Sequence, residues 1–206
     1  MSPFDASKFL ENLLWLKPEL LLTLVSFVLL GLSVTLPAAA RRSAGWVALI
    51  GIVVAAVLVA SYTPAVGFAV PKLDPGSPAG GFLDAEGRAS FVLDGFAVVL
   101  KLIFLLGAAL CVLMAMRFLD IEGAQAGEFY AIVVFAVLGM MFLASGNDFA
   151  TIYIGLETMA LSSYVLVGFT RGSRTSNEAA FKYFLLGAFA SAILLYGVSL
   201  VFRTCT

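Results

Sequence analysis

The sequence predicts an all-α integral membrane protein with six transmembrane helices. Two observations carry that prediction. Of 206 residues, 62% are hydrophobic and only 12% are charged, with a mean hydropathy of +1.05, whereas a soluble domain runs near half apolar and about a quarter charged. In addition, six separate stretches approach the roughly 20 apolar residues that cross a ~30 Å hydrocarbon core. No soluble fold needs six such runs, and spanning helices satisfy every backbone group internally.

The first stretch, residues 20–40, carries no charge. Its small-residue end resembles a signal-peptide cleavage site, but it is longer than an h-region of about 7–15 residues. The segment before it mixes Asp5, Glu11 and Glu19 with Lys8 and Lys17 rather than being basic, so a retained helix is expected. Residues 46–62 form the second stretch, and residues 95–116 the third, interrupted only by Lys101. The fourth, 129–146, is uncharged; the fifth, 149–169, is broken only by Glu157, and the sixth, 179–202, only by Lys182. With their ends, the helices are expected at about 18–40, 44–62, 91–117, 128–146, 148–170 and 176–203. They make up a membrane domain over 18–206, after an interfacial segment over 1–17 with Trp15 and Lys17 at the headgroups.

The connections are short except one. Residues 63–90 hold four prolines and five glycines and form an extramembrane loop. Asn147-Asp148 reads as a tight turn and helix cap, and Thr175-Ser176-Asn177-Glu178 as a capping box opening the sixth helix. Arg41, Arg42, Arg117, Arg171 and Arg174 all fall on one side of the membrane. Because short cytoplasmic loops are enriched in Lys and Arg, the N-terminus and Cys205 are expected outside.

The inventory excludes several chemistries. Histidine is absent, which removes His-ligated haem, His-type zinc sites and His acid–base catalysis. Cys111 and Cys205 have no neighbour at metal-ligand or CxxC spacing. A net charge of −1 with no basic patch gives nucleic acid nothing to bind.

What remains is the set of charges inside the bilayer, where each costs about 2.5–3.5 kcal/mol on insertion scales and defaults to a functional reading. Glu157 lies ~12 Å deep in the fifth helix, with Tyr153, Ala160, Leu161 and Tyr164 at helical spacing. The alternative is a neutral or paired carboxyl that only holds helices together. Lys182 lies ~9 Å into the sixth helix, four residues after Glu178, the favourable order for a helical pair; snorkelling to the interface is the competing account. Gly187, Ala188, Ala190, Ser191 and Ala192 then offer a small-residue face for close packing. Snorkelling explains Lys101 as well as a functional role does. Glu128, opening the fourth helix, is either functional or a partner of the helix dipole. Projected depth orders Glu128, Lys182 and Glu157 at steps of roughly 9 Å. Low dielectric disfavours the charged forms of lysines and carboxylates alike, so a buried set of this kind can exchange protons near neutrality.

Gly127-Glu128-Phe129-Tyr130, Gly155-Leu156-Glu157-Thr158-Met159 and Glu178-Ala-Ala-Phe-Lys182-Tyr-Phe-Leu-Leu-Gly-Ala-Phe-Ala-Ser191 resemble the subunit N family of bacterial proton-pumping NADH:quinone oxidoreductase, respiratory complex I. Lys17-Pro18-Glu19 and the Asp94…Lys101 spacing fit the same family. The resemblance implies an antiporter-like bundle with inverted repeats, of which this chain would be the N-terminal part. It implies proton translocation through Glu157, Lys182 and Glu128, with Lys101, Glu178 and Tyr153 as accessories. NADH, FMN, Fe–S clusters and quinone would be handled by or with other subunits, leaving no cofactor and no redox chemistry in this chain. The partners implied are the other membrane subunits of complex I and the lipid of a bacterial inner membrane. Subunits of multisubunit sodium/proton antiporters and membrane-bound hydrogenases share the Glu and Lys positions and form the alternative. A non-conducting structural piece of the membrane arm is a further one. Family members have about fourteen spans, with inverted repeats general to transporters. The tail Val201-Phe202-Arg203-Thr204-Cys205-Thr206 departs from the family pattern, so a truncated or frameshifted chain is expected.

Overall fold

The computed structural model describes residues 16–35, 41–62, 90–122 and 126–205. The interfacial segment and the Pro/Gly-rich loop expected from the sequence lie outside these, apart from their last residues. Among the described residues six helices run in order: α1 Lys17–Thr35, α2 Arg41–Ser61, α3 Gly95–Glu122, α4 Ala126–Ser145, α5 Phe149–Val167 and α6 Arg174–Cys205. Each is long and apolar enough to cross a membrane.

The helix ends follow local chemistry. Pro18 sits in the first turn of α1, where no amide hydrogen is required. Asp94 caps α3 by accepting from the Ala97 amide at 2.7 Å, and Asp148 caps α5 by accepting from Thr151 at 2.5 Å. The sixth helix starts differently from the expected capping box. It begins at Arg174, one residue before Thr175, and the Ser173 hydroxyl accepts from the Ser176 amide at 3.3 Å. Glu178 does not reach back to the cap; its carboxylate takes a hydrogen bond from Lys182 instead.

Lipid tails are as apolar as leucine, so these helices associate through close packing and hydrogen bonds rather than through the hydrophobic effect. Helices α1 to α4 pack on one another as a core, α5 joins through α4, and α6 joins through α5. Ser26 ties α1 to α4 by donating to the Ala131 carbonyl at 3.1 Å. Leu22, Leu29, Ile52, Leu105, Val134 and Met141 are fully buried within the core. At the α4–α5 crossing the backbones touch. A Cβ on Gly139 would stand 2.5 Å from the Met159 nitrogen, and one on Gly155 would stand 2.8 Å from the Leu143 nitrogen.

The beginnings of α1, α3 and α5 and the ends of α2 and α4 share one end of the bundle. That end is stitched by an isolated bridge between Phe91 and Gly146. Val92 donates to the Ser145 carbonyl at 2.8 Å and Asn147 to the Ser90 carbonyl at 3.0 Å. The arginine-bearing ends of α2, α3 and α6 lie at the other.

Helix α6 stands apart: none of its membrane window is buried. It meets α5 through Phe202, edge-on to Phe149 at 6.4 Å, and through Tyr164, whose phenol seats on Gly187 where a Cβ would collide with it. Tyr183 and Phe184 meet the same ring edge-on, at 4.8 and 5.8 Å between centroids. Of the small-residue face expected from the sequence, Ala188, Ala190 and Ala192 remain exposed.

Candidate functional site

Glu157 stands two residues past Gly155, so the tight α4–α5 crossing fixes its height and direction. The residue is half-buried, and its Oε1 is buried with no hydrogen-bond partner among the described residues. The neighbouring serine and threonine hydroxyls do not supply one. Thr158 donates to the Ile154 carbonyl, Ser162 to Thr158 and Ser163 to Met159, at 2.7–2.9 Å. A hydroxyl has a single proton to give, and here each is spent on the helix's own backbone. That habit lets Thr and Ser live in an apolar helix, and it leaves the one carboxylate of α5 as its underserved polar group. Tyr153, one turn earlier and half-buried, and Tyr164, two turns later, lie on the same side of α5. The Glu157 charge acts on the Tyr164 phenol, and that phenol rests on α6 beside Tyr183.

Lys182 is exposed and bound to Glu178 at 2.6 Å, the two side chains 68% and 59% accessible. Glu128, in the first turn of α4, pairs with Arg171 of the α5–α6 connection at 3.7 Å. Among the described residues no ion pair joins Glu157 to Lys182. The structure therefore brings Glu157 next to a tyrosine bridge toward α6 and leaves Lys182 and Glu128 each with a local partner.

Lys101 is the surprise. It is fully buried, not snorkelled to the interface, and its ammonium meets the Glu19 carboxylate at 2.6 Å, with 0% and 1% of the two side chains exposed. The ammonium also lies 4.6 Å from the centroid of the Phe91 ring, a favourable place for a desolvated cation. Side chains on a helix lean toward its N-terminus. That lean carries the Lys101 head back from ~10 Å inside α3 to the level of the first turn of α1. The pair is an ion contact without alignment: Glu19 Oε1 and Oε2 and Lys101 Nζ have no well-directed hydrogen bond among the described residues. Sequence reasoning grouped Glu19 with the interfacial charges and missed it. The signal that could have found it is charge balance, since a buried lysine in one span calls for a carboxylate in another.

Residues 145–205 match the family model described as NADH:quinone oxidoreductase/Mrp antiporter, transmembrane. The chain is similar to NADH-quinone oxidoreductase subunit N of Trichlorobacter lovleyi, 41% identical over 93% of this chain and 36% of that protein. A chain of respiratory complex I from Thermus thermophilus superposes with a TM-score of 0.65 at 28% identity, over 90% of this chain and 36% of the other. A chain of the archaeal membrane-bound sulfane sulfur reductase shares the fold, with a TM-score of 0.74 at 18% identity, over 93% of this chain and 37% of that one. The chain thus spans just over a third of the length of the proteins it matches. Along the stretch it shares with them, this chain is similar to NADH-quinone oxidoreductase subunit N.

Proposed function

We propose that the chain contributes to proton translocation in the membrane arm of an NADH:quinone oxidoreductase, with Glu157 as the proton-carrying group. The observation that supports this is the α5 carboxylate itself: held by a glycine crossing, with an oxygen buried and unpartnered among the described residues. A carboxylate kept only for helix association would be expected to have its lone pairs satisfied. Lys182 and Glu128 are the further members of the relay, Glu178 and Arg171 holding them between transfers. Tyr164 offers a hydroxyl between Glu157 and α6. NADH oxidation and quinone reduction take place in or with other subunits, and the partners are the neighbouring membrane subunits. The arginine-bearing end faces the cytoplasm of a bacterial inner membrane and the N-terminus lies outside.

The deciding experiment places Glu157→Gln in the subunit carrying this segment, assembled in its complex and reconstituted in vesicles. The amide keeps shape and hydrogen bonding but cannot titrate. Coupled NADH:quinone activity and proton uptake fall strongly while assembly is normal, and Glu157→Asp is milder. Normal pumping with Gln together with failed assembly with Ala would reject the carrier role. The matching family description also covers Mrp antiporters, which favours sodium/proton exchange as a second reading. Transport that requires sodium rather than NADH turnover distinguishes it. For orientation, an impermeant thiol reagent labels Cys205 on intact cells, and labelling only after the membrane is opened reverses the topology.

A further inference from the structure

The charge row just described involves α4, α5 and α6, yet the most deeply buried ionisable groups in the described chain lie elsewhere. Glu19 of α1 and Lys101 of α3 are 1% and 0% exposed, and α4, uncharged after Glu128, separates them from α5. On the same stitched end of the bundle, the Ser145 hydroxyl is buried and also lacks a hydrogen-bond partner among the described residues. Ser145 shares the Phe91 strip with Lys101: Val92 binds the Ser145 carbonyl, and Phe91 carries the ammonium on its ring. Glu19, Lys101 and Ser145 thus leave unaligned polar atoms at the same end of the bundle.

A buried ion pair earns stability only when further hydrogen bonds satisfy the remaining lone pairs and protons, and apolar replacement of both partners is often neutral or stabilising. Here those further bonds are missing among the described residues. Buried polar atoms of this kind ordinarily take ordered water, each molecule joining two to four of them. The charges around the pair fall on the aqueous side: Asp94 and the Glu19 carboxylate both act on Lys101, and the Glu19 carboxylate acts on Tyr62 at the end of α2. Lys17 lies exposed two residues before Glu19, and α4 contributes only Ser145. These are the ionisable neighbours among the described residues on every helix packed against the pair.

We propose that Glu19 and Lys101 form a second proton-binding site, exchanging protons through water with the aqueous phase at the Asp94 end of the bundle. In the loaded state a hydronium ion protonates the Glu19 carboxylate, giving the carboxylic acid and water, while the Lys101 ammonium stays on the Phe91 ring. Unloading returns the proton to water and restores the ion pair. The inference rests on the reading of the chain as a proton carrier, and places in α1 and α3 a step that Glu157 does not perform.

The test uses the subunit assembled in its complex and reconstituted in vesicles, with Glu19→Gln and Lys101→Met made singly and together. Lys101→Met strands a buried carboxylate and loses assembly, whereas Glu19→Gln copies the loaded state, with the ammonium left on the Phe91 ring, and assembles. The double variant removes both charges, regains assembly, and still loses most of its proton transport per NADH, with a changed pH profile of coupled turnover. Full transport with an unchanged profile in the double variant makes the pair structural and overturns the proposal. Should the double variant fail to assemble, the unmodified complex decides, because dicyclohexylcarbodiimide attacks protonated carboxylic acids in apolar surroundings. A Glu19 adduct that grows as pH falls supports the site, and its absence at every pH overturns it. Glu157→Gln run in parallel separates the two claims. Normal transport there sinks the parent reading, whereas lost transport there with an unaffected double variant sinks only this one.

Discussion

Two lysine–glutamate pairs in this chain have the same 2.6 Å separation and almost nothing else in common. Glu178–Lys182 joins neighbours on one turn of α6, with more than half of each side chain accessible; Glu19–Lys101 joins two helices and is almost wholly buried. The first is dictated by sequence spacing, since residues four apart on a helix face each other. The second exists only because α1 and α3 both pack on α2 and α4, so that two long side chains meet across the bundle. Environment, not distance, sets what each does. An exposed pair is screened and can open without penalty, leaving its lysine free to exchange partners. A buried pair opens only if water or a proton replaces the lost charge.

The largest expected effect breaks that contrast at its buried end. Glu19→Ala or Lys101→Ala destabilises the chain by about 3–5 kcal/mol, the usual result of stranding one buried charge. Thermal unfolding in lipid nanodiscs measures it, and a loss below about 1 kcal/mol would show the pair to be no different from the exposed one.

A smaller effect is expected at the partition between the two regions. Gly139→Val drives methyl groups into the Met159 backbone at the α4–α5 crossing, and overpacking of this kind costs roughly 1–3 kcal/mol. It also shifts Glu157 away from α4, so the same measurement read with coupled activity asks whether the crossing positions the carboxylate.

Next comes the cap that joins the two regions at the Phe91 end. Asp148→Ala loses about 1 kcal/mol. Burial pushes the Asp148 carboxyl up, but hydrogen bonds from the Thr151 amide, the Thr151 hydroxyl and Ser90 outweigh it and hold the group below its ordinary value. A lowered carboxyl stabilises the fold above its unfolded value, and that contribution disappears as pH falls through the folded one. The gap between wild type and variant therefore closes on acidification; a gap that widens contradicts the assignment.

The smallest effect belongs to the exposed pair. Glu178→Gln changes stability by at most about 1 kcal/mol, and added salt shrinks the change further. A salt-independent loss of several kcal/mol would mean that another surface covers Lys182 and that its environment resembles that of Lys101.

The six spans were legible because crossing a bilayer requires a long uncharged run, a property of consecutive residues. Glu157 and Lys182 stood out for the same reason, each being the lone charge in its stretch. The Asp148 cap and the Glu178–Lys182 pair were legible too, because both are local contacts within four residues. The cap of α6 was misplaced by two residues, since Ser173 and Thr175 are equally good capping types and only the chain's turn at Arg171–Ser173 chooses between them. Gly139 drew no notice in an apolar run; its purpose shows only where α5 presses against it.

By itself, then, the sequence determined the solvent of this protein, its six membrane-crossing runs, and that Lys101, Glu157 and Lys182 lie within them, because those depend on hydropathy summed along the chain. The tertiary structure decided what each charge meets. It brought Glu19 to Lys101 across 82 positions of sequence, set Tyr164 between Glu157 and α6, and left Glu157 and Lys182 unpaired with each other. Contacts between helices depend on their rotation and order in the bundle. A run of apolar residues satisfies its own backbone whichever face it turns to a neighbour, so such a run carries little record of that choice.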